Sequence, residues 1–260
     1  MSGELEVDYP AEHVARLVFR NPAKRNALDH AILDAIAETV PKLDARCLLI
    51  TSEGPVFSAG YDIGNLPRGE FAERAEQLVA HPFHDAIEAL ENFPYPAVAA
   101  LNGHAIGGGL ELALSCDLIV AAESAKVGMP PARLGLIYSH TGLRKFIDAI
   151  GVTRTRQLFF TGRNVGAAEA ESWGLINEIV RDGALAARGL ELATEIAANA
   201  PISLAGNKRV IRELLRGEGS LDPEIERELI ELRESCFQTE DFFEGVRAFA
   251  EKRSPRWQAR

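Results

Sequence analysis

Apolar and polar positions change period several times along the chain. "HVARLVFR" (13–20) and "ARCLLITS" (45–52) are short apolar, β-branched runs of strand type. Between them "LDHAILDAIAETVPKL" (28–43) repeats its apolar residues at the spacing of a helix. The helical period returns over 71–93, followed by a strand at "YPAVAAL" (95–101), a short helix after a glycine run, and a strand at "DLIVAAE" (117–123). Beyond about residue 142 strands nearly vanish. There "TRTRQLFFTG", "GAAEAESWG", "GALAARGLELATEIAANAP", "ISLAGNKRVIRELLRG" and "LDPEIERELIELRESCFQ" predict successive helices, several closed by Gly or opened after Asp or Thr. The pattern predicts an α/β fold with a helical C-terminal region.

Composition narrows the class. With 260 residues, 47% of them apolar, the chain can bury a large core. No apolar run reaches the roughly 20 residues that cross a bilayer, and "MSGELEVDYP" has no basic stretch leading into an apolar one, so a cytoplasmic location is expected. A net charge of −10 argues against a nucleic-acid partner, whose phosphates call for clustered Lys and Arg. Cys47, Cys116 and Cys236 lie far apart and form no CxxC pair, which argues against a zinc site or a disulfide framework.

Candidate chemistry concentrates in loops that follow strands. In "GPVFSAGYDIGNLP" (54–67) a small-residue bend exposes backbone around Ala59, Gly60 and Tyr61. In "GHAIGGGLEL" (103–112), Gly107, Gly108 and Gly109 allow close backbone approach at the start of a helix, where N–H groups have no intrahelical partner. Two such loops face to face make an oxyanion hole for a carbonyl that gains negative charge, with Glu111 held nearby as a proton carrier. Each feature also has a plainer explanation. The glycine run alone suits a tight turn, Glu111 alone suits a helix N-terminus, and Tyr138 in "GLIYSHTG" suits an ordinary loop. His140 lacks a visible partner as a base. His81 and His84 in "HPFH" lack a third metal ligand and suit a solvated helix face.

Taken together the segments resemble the crotonase family, the enoyl-CoA hydratase and isomerase superfamily, over essentially the whole length. The matching pieces are "NPAKRNAL" (21–28), "FSAGYDI" (57–63), "NGHAIGGGLELALSCDLIVAA" (102–122), "RLGLIYSHTGLRKF" (133–146), "FFTGRNVGAAEAESWGLINEIV" (159–180) and "FEGVRAFAEKRSP" (243–255). The resemblance implies a spiral of ββα units over 1–200 that carries an acyl-CoA site, and a helical region over 201–260 for association into homotrimers or homohexamers. The implied substrate is a coenzyme A thioester, with no metal or redox cofactor.

By that likeness the backbone N–H groups of Tyr61 and Gly108 form the oxyanion hole, with Gly107 beside it. Lys24 and Arg25 approach the coenzyme phosphates, and Ala59 and Ile63 line the adenine and pantetheine path. Ala27 and Asp62 belong to the same coenzyme-binding segments, and Phe249 and Lys252 reach the coenzyme of a neighbouring subunit. Hydratases of the family use two glutamates. The first falls on Glu111, but the second falls on Pro131, which has no ionisable group. Tyr138 replaces a proline usual in hydratases, and His140 follows in the same loop. This combination is most similar to the methylmalonyl-CoA decarboxylase branch. The first expectation is therefore decarboxylation of a small 2-carboxyacyl-CoA. The alternatives are hydration of an enoyl-CoA, with water held by Glu111 and His140, and a non-catalytic acyl-CoA- or RNA-binding module on the same fold.

Overall fold

The computed structural model describes residues 2–62, 81–199, 201–217 and 237–253, together with 227, 231 and 234. Most of the helix expected over 221–238, and the part over 71–80 of the helix expected there, lie outside these residues. Among the described residues one sheet has six strands and a second has four. β1 (Glu4–Ala11) and β2 (Val14–Arg20) form an antiparallel hairpin. From β2 the sheet continues in parallel through β3 (Cys47–Ser52), β5 (Ala97–Leu101), β7 (Leu118–Ala122) and β10 (Glu178–Val180).

The strands expected at 13–20, 45–52, 95–101 and 117–123 are all present, and their near-continuous apolar character follows from helices that cover both faces of a parallel sheet. On one face lie α1 (His30–Thr39) and α2 (His81–Asn92). On the other lies α7 (Leu185–Ala197), whose Leu185, Ala193 and Ala197 meet Cys47, Leu49, Val98, Ala100 and Val120. α8 (Pro201–Gly217) is tied down where Lys208 Nζ donates to the Tyr95 carbonyl at 2.9 Å and to Asp117 at 2.8 Å.

The second sheet adds short strands that the expected alternation did not include. Its strands are β4 (Val56–Ser58), β6 (His104–Ile106), β8 (Lys126–Gly128) and β9 (Val165–Gly166). Each is too short to establish a period in sequence. A long strand of the first sheet turns directly into a short strand of the second and then into a helix: β5, β6, α3 (Gly108–Leu114), then β7, β8, α4 (Pro131–Leu134). This is the ββα repeat that the resemblance implies. Two more helices differ from expectation. α5 (His140–Thr161) is two helices joined at Gly151, whose φ of 68° and ψ of 164° are not helical: the second is the helix expected over 153–162, and the first was not expected. α6 (Ala167–Ser172) is as expected, and α9 (Glu240–Ala250) adds a helix in the last family-like segment. β1 alternates charged and apolar residues from Glu4 to Asp8, a strand signal in its own right.

The corner between the sheets is where the first functional loop is set. Asn26 is buried, and its amide donates to the carbonyls of Glu53 and Val56, each at 2.7 Å. Ser52 Oγ reaches Asn102 at 3.0 Å. Gly103 presses so closely on this corner that a Cβ would stand 2.0 Å from the Pro55 carbonyl oxygen. Gly103→Ala is therefore expected to destabilise the fold by about 1–3 kcal/mol, the range for overpacking, and a lowered urea midpoint is the measurement that checks it.

Candidate active site

Three segments converge. The first is held by the "NPAKRNAL" turn, in which Arg25 and Asn26 take left-handed conformations, both at φ 54°. Leu28 and Tyr61 form an isolated parallel bridge: Leu28 N–H donates to the Gly60 carbonyl at 2.7 Å and Asp62 N–H to the Leu28 carbonyl at 2.9 Å. Ala59 N–H donates to the Arg25 carbonyl at 3.1 Å. Ladder alternation turns the Tyr61 N–H away from Leu28, toward the other side of the loop.

The second segment is the glycine run, and each glycine has a separate cause. Gly107 caps α3 at φ 57°, ψ −126°, a conformation that L side chains rarely adopt. At Gly108 a Cβ would lie 2.7 Å from Cζ of the Tyr61 ring, and at Gly109 2.5 Å from Cβ of Ser58. Gly60 completes the approach from the first loop, since a Cβ there would lie 2.9 Å from the Ile106 carbonyl oxygen and 3.4 Å from the Gly108 nitrogen. The two loops are thus in backbone contact, and the run is more than a turn.

The third segment brings Tyr138. Ser139 caps α5 by accepting from Gly142 N–H at 3.1 Å, and Gly142 sits against both Tyr138 and Glu111: a Cβ there would be 2.9 Å from Glu111 Oε1. The Tyr138 hydroxyl donates to Glu111 Oε2, and Tyr61 is hydrogen-bonded to Tyr138 in turn. The Tyr61, Tyr138 and Glu111 side chains therefore form one chain of polar groups beside Gly108. Aromatic packing surrounds it, with Tyr61 edge-on to Phe83 at 4.7 Å and Tyr138 edge-on to Phe159 at 5.6 Å.

Glu111 is 4% exposed. Burial pushes its carboxyl up to about 7, opposed by the Tyr138 hydrogen bond, which favours the ionised form. The Tyr138 phenol is held well above its ordinary value by burial first and by the facing Glu111 second. A proton near neutrality therefore belongs to Glu111, in reach of a phenolic donor and beside two backbone loops whose N–H groups suit a developing oxyanion.

The other expected residues are placed less centrally. The Lys24 ammonium pairs with Asp62 at the mouth of the first loop, next to Arg25 and the buried Ala27. Pro131 is buried at the start of α4, where it offers no titratable group. His140 opens α5 beside Ser139 and is half-buried. Phe249 and Lys252 lie at the exposed end of α9, and among the described residues they are not joined to the Glu111 cluster. Ile63 lies outside the described residues. Sequence reasoning missed the Tyr61 side chain and the fit of Gly142 against Glu111, because neither has a local motif and both depend on segments far apart in the chain. Among the described residues no group of three His, Cys, Asp or Glu could hold a metal ion, and no helix is long and apolar enough to cross a membrane.

Residues 10–260 match the family described as enoyl-CoA hydratase/isomerase. The chain belongs to that family. It is thus a crotonase-family acyl-CoA enzyme. It is 34% identical to a probable enoyl-CoA hydratase of Bacillus subtilis, with 95% of each chain covered. A solved methylmalonyl-CoA decarboxylase complexed with 2S-carboxypropyl CoA superposes with a TM-score of 0.90 at 28% identity, over 98% of each chain. An enoyl-CoA hydratase of Bacillus anthracis superposes with a TM-score of 0.76 at 29% identity, over 99% of this chain and 100% of that one.

Two outcomes follow for this crotonase site. Gly108→Val is expected to force the Tyr61 ring against Phe83, to destabilise the fold by about 1–3 kcal/mol and, in the protein that remains folded, to lower turnover of acyl-CoA thioesters by roughly 10²-fold or more if the Gly108 N–H serves an oxyanion; assays below the lowered melting temperature, beside thermal melts, check this. Glu111 also links stability to pH. Its carboxyl holds its proton to about 7 when folded, against 4.5 as the ordinary value, so in that window the native state binds more protons and stability falls as pH rises. Glu111→Gln retains an acceptor for Tyr138 and removes the penalty. Urea titrations are expected to show little gain at pH 4 and a gain of up to about 3 kcal/mol at pH 8.

Proposed function

We propose that this enzyme decarboxylates a small 2-carboxyacyl-CoA such as methylmalonyl-CoA, holding the thioester carbonyl between the N–H groups of Tyr61 and Gly108. The observation that carries this reading is the hydrogen bond from the half-buried Tyr138 to the buried Glu111, whose carboxyl burial pushes up to about 7, with Pro131, by the family resemblance, at the place of the hydratases' second glutamate. A neutral Glu111 tolerates a substrate carboxylate beside it, whereas an ionised one would repel it.

In the proposed step the bond between the α-carbon and the carboxylate breaks. Its electron pair passes into the thioester, giving an enolate whose oxygen the two N–H groups stabilise, and carbon dioxide leaves. Tyr138 turns the carboxylate out of the thioester plane, so that the breaking bond overlaps the carbonyl π system. Protonated Glu111 then delivers its proton to the α-carbon and regains one from solvent. Lys24 and Arg25 take the coenzyme phosphates, and Ala27, Ala59, Asp62 and Ile63 line its path. The same reading places the enzyme in the cytoplasm as a homotrimer or homohexamer. Val210, Ile211 and Leu215, all more than half exposed on α8, supply apolar surface for such contacts, and Phe249 and Lys252 meet a neighbour's coenzyme.

Hydration is the second reading, favoured by the name of the Bacillus subtilis relative. The two separate by direction. If Glu111 serves as an acid after loss of carbon dioxide, the rate falls as pH rises through about 7. If it serves as a base toward water, the rate falls as pH drops through the same value. With methylmalonyl-CoA, Glu111→Gln is expected to lose about 10²–10⁴ and Tyr138→Phe as much or more. Assays of both variants against methylmalonyl-CoA and crotonyl-CoA decide it: an inactive Glu111→Gln beside an unaffected Tyr138→Phe would assign hydration instead.

A further inference from the structure

With the thioester carbonyl placed at Gly108 as proposed, the acyl group lies beside the Tyr61 side chain. Its ring covers Gly108, with Cζ, Cε1 and Cε2 within 3.0 Å of where a Cβ would be, and it is hydrogen-bonded to Tyr138, which contacts Glu111. The ring thus spans from the proposed carbonyl site to the proposed α-carbon site. It is also a firm wall: Phe83, 5% exposed in the main core, meets it edge-on at 4.7 Å with the ring planes 84° apart. Swinging the ring away from Gly108 would require α2 to repack.

We infer that the Tyr61 side chain sets the length limit of the acyl group, admitting propionyl-sized acyl chains and excluding long ones. The inference rests on the proposed placement of an acyl-CoA carbonyl at Gly108, and it holds for decarboxylation and hydration alike, because it concerns space rather than chemistry. A wall of this kind discriminates by excluded volume, and each excluded methylene is worth roughly tenfold or more in a close-fitting pocket. Loss of the outer ring opens that space, while loss of the hydroxyl alone leaves the wall standing.

The test is calorimetric titration with saturated esters that cannot react, propionyl-CoA and octanoyl-CoA. The parent protein is expected to bind propionyl-CoA about tenfold or more tightly than octanoyl-CoA, Tyr61→Phe to keep that preference, and Tyr61→Ala to lose or reverse it. Tyr61→Leu retains apolar contact with Phe83 and serves if the alanine variant melts early. Equal affinity of the parent for the two esters, or a folded Tyr61→Ala or Tyr61→Leu with the parental preference, overturns the inference and leaves the acyl-CoA site standing. Failure of the parent to bind either ester overturns that site and the inference with it.

Discussion

Everything at this site depends on the close contact between two segments, 58–61 and 106–109, in which Gly60, Gly108 and Gly109 leave no room for an added Cβ. Gly60 meets the Ile106 carbonyl and the Gly108 nitrogen, and Gly109 meets Ser58. Such an approach is available only to glycine, because a single Cβ at these points would fall inside the contact distance of its neighbours. The contact in turn needs both loops to leave their sheets at fixed points. Asn26 and Gly103, both set against the 53–56 corner, provide this for the first loop, and so residues of the N-terminal turn serve a site built mostly by the middle of the chain.

The second determinant is dielectric. Glu111 stands in the first turn of α3, where an exposed carboxylate would ionise readily beside unpaired N–H groups. Burial among aromatic rings outweighs that preference and moves the proton to neutrality. Tyr138 works in the opposite direction with a single hydrogen bond, so the carboxyl is poised between its two states. Behind the helix, Ser115 Oγ donates to the Glu111 carbonyl at 2.9 Å and accepts from Lys145 Nζ at 3.1 Å, and Lys145 also pairs with Glu91 on α2. Burial lowers the Lys145 ammonium to about 7, so the prop is itself a partly desolvated group.

Family membership and reaction are decided at different levels. The family is shared with relatives named as hydratases, and the fold with solved structures of a methylmalonyl-CoA decarboxylase and of enoyl-CoA hydratases. In the proposed reading the reaction depends on a few substituents around that fold: a proline at 131, tyrosines at 61 and 138. These change what surrounds the enolate site without changing the site's backbone, which is why overall identity near 30% carries so little about the chemistry.

The sequence by itself determined the long parallel strands, most of the helices and the segments that carry the chemistry, because period, capping and glycine placement are local properties. It also determined that Pro131 cannot act as an acid or base. The second sheet was decided only in three dimensions, since strands of three residues or fewer have no period and exist through pairing with distant partners. So too was the company of Glu111. Tyr138 is 27 positions away along the chain and Tyr61 lies on another loop, and the burial that raises the carboxyl is a sum over residues from several elements. Local pattern chose which residues were available, and tertiary packing decided their distance and their dielectric, on which proton position depends.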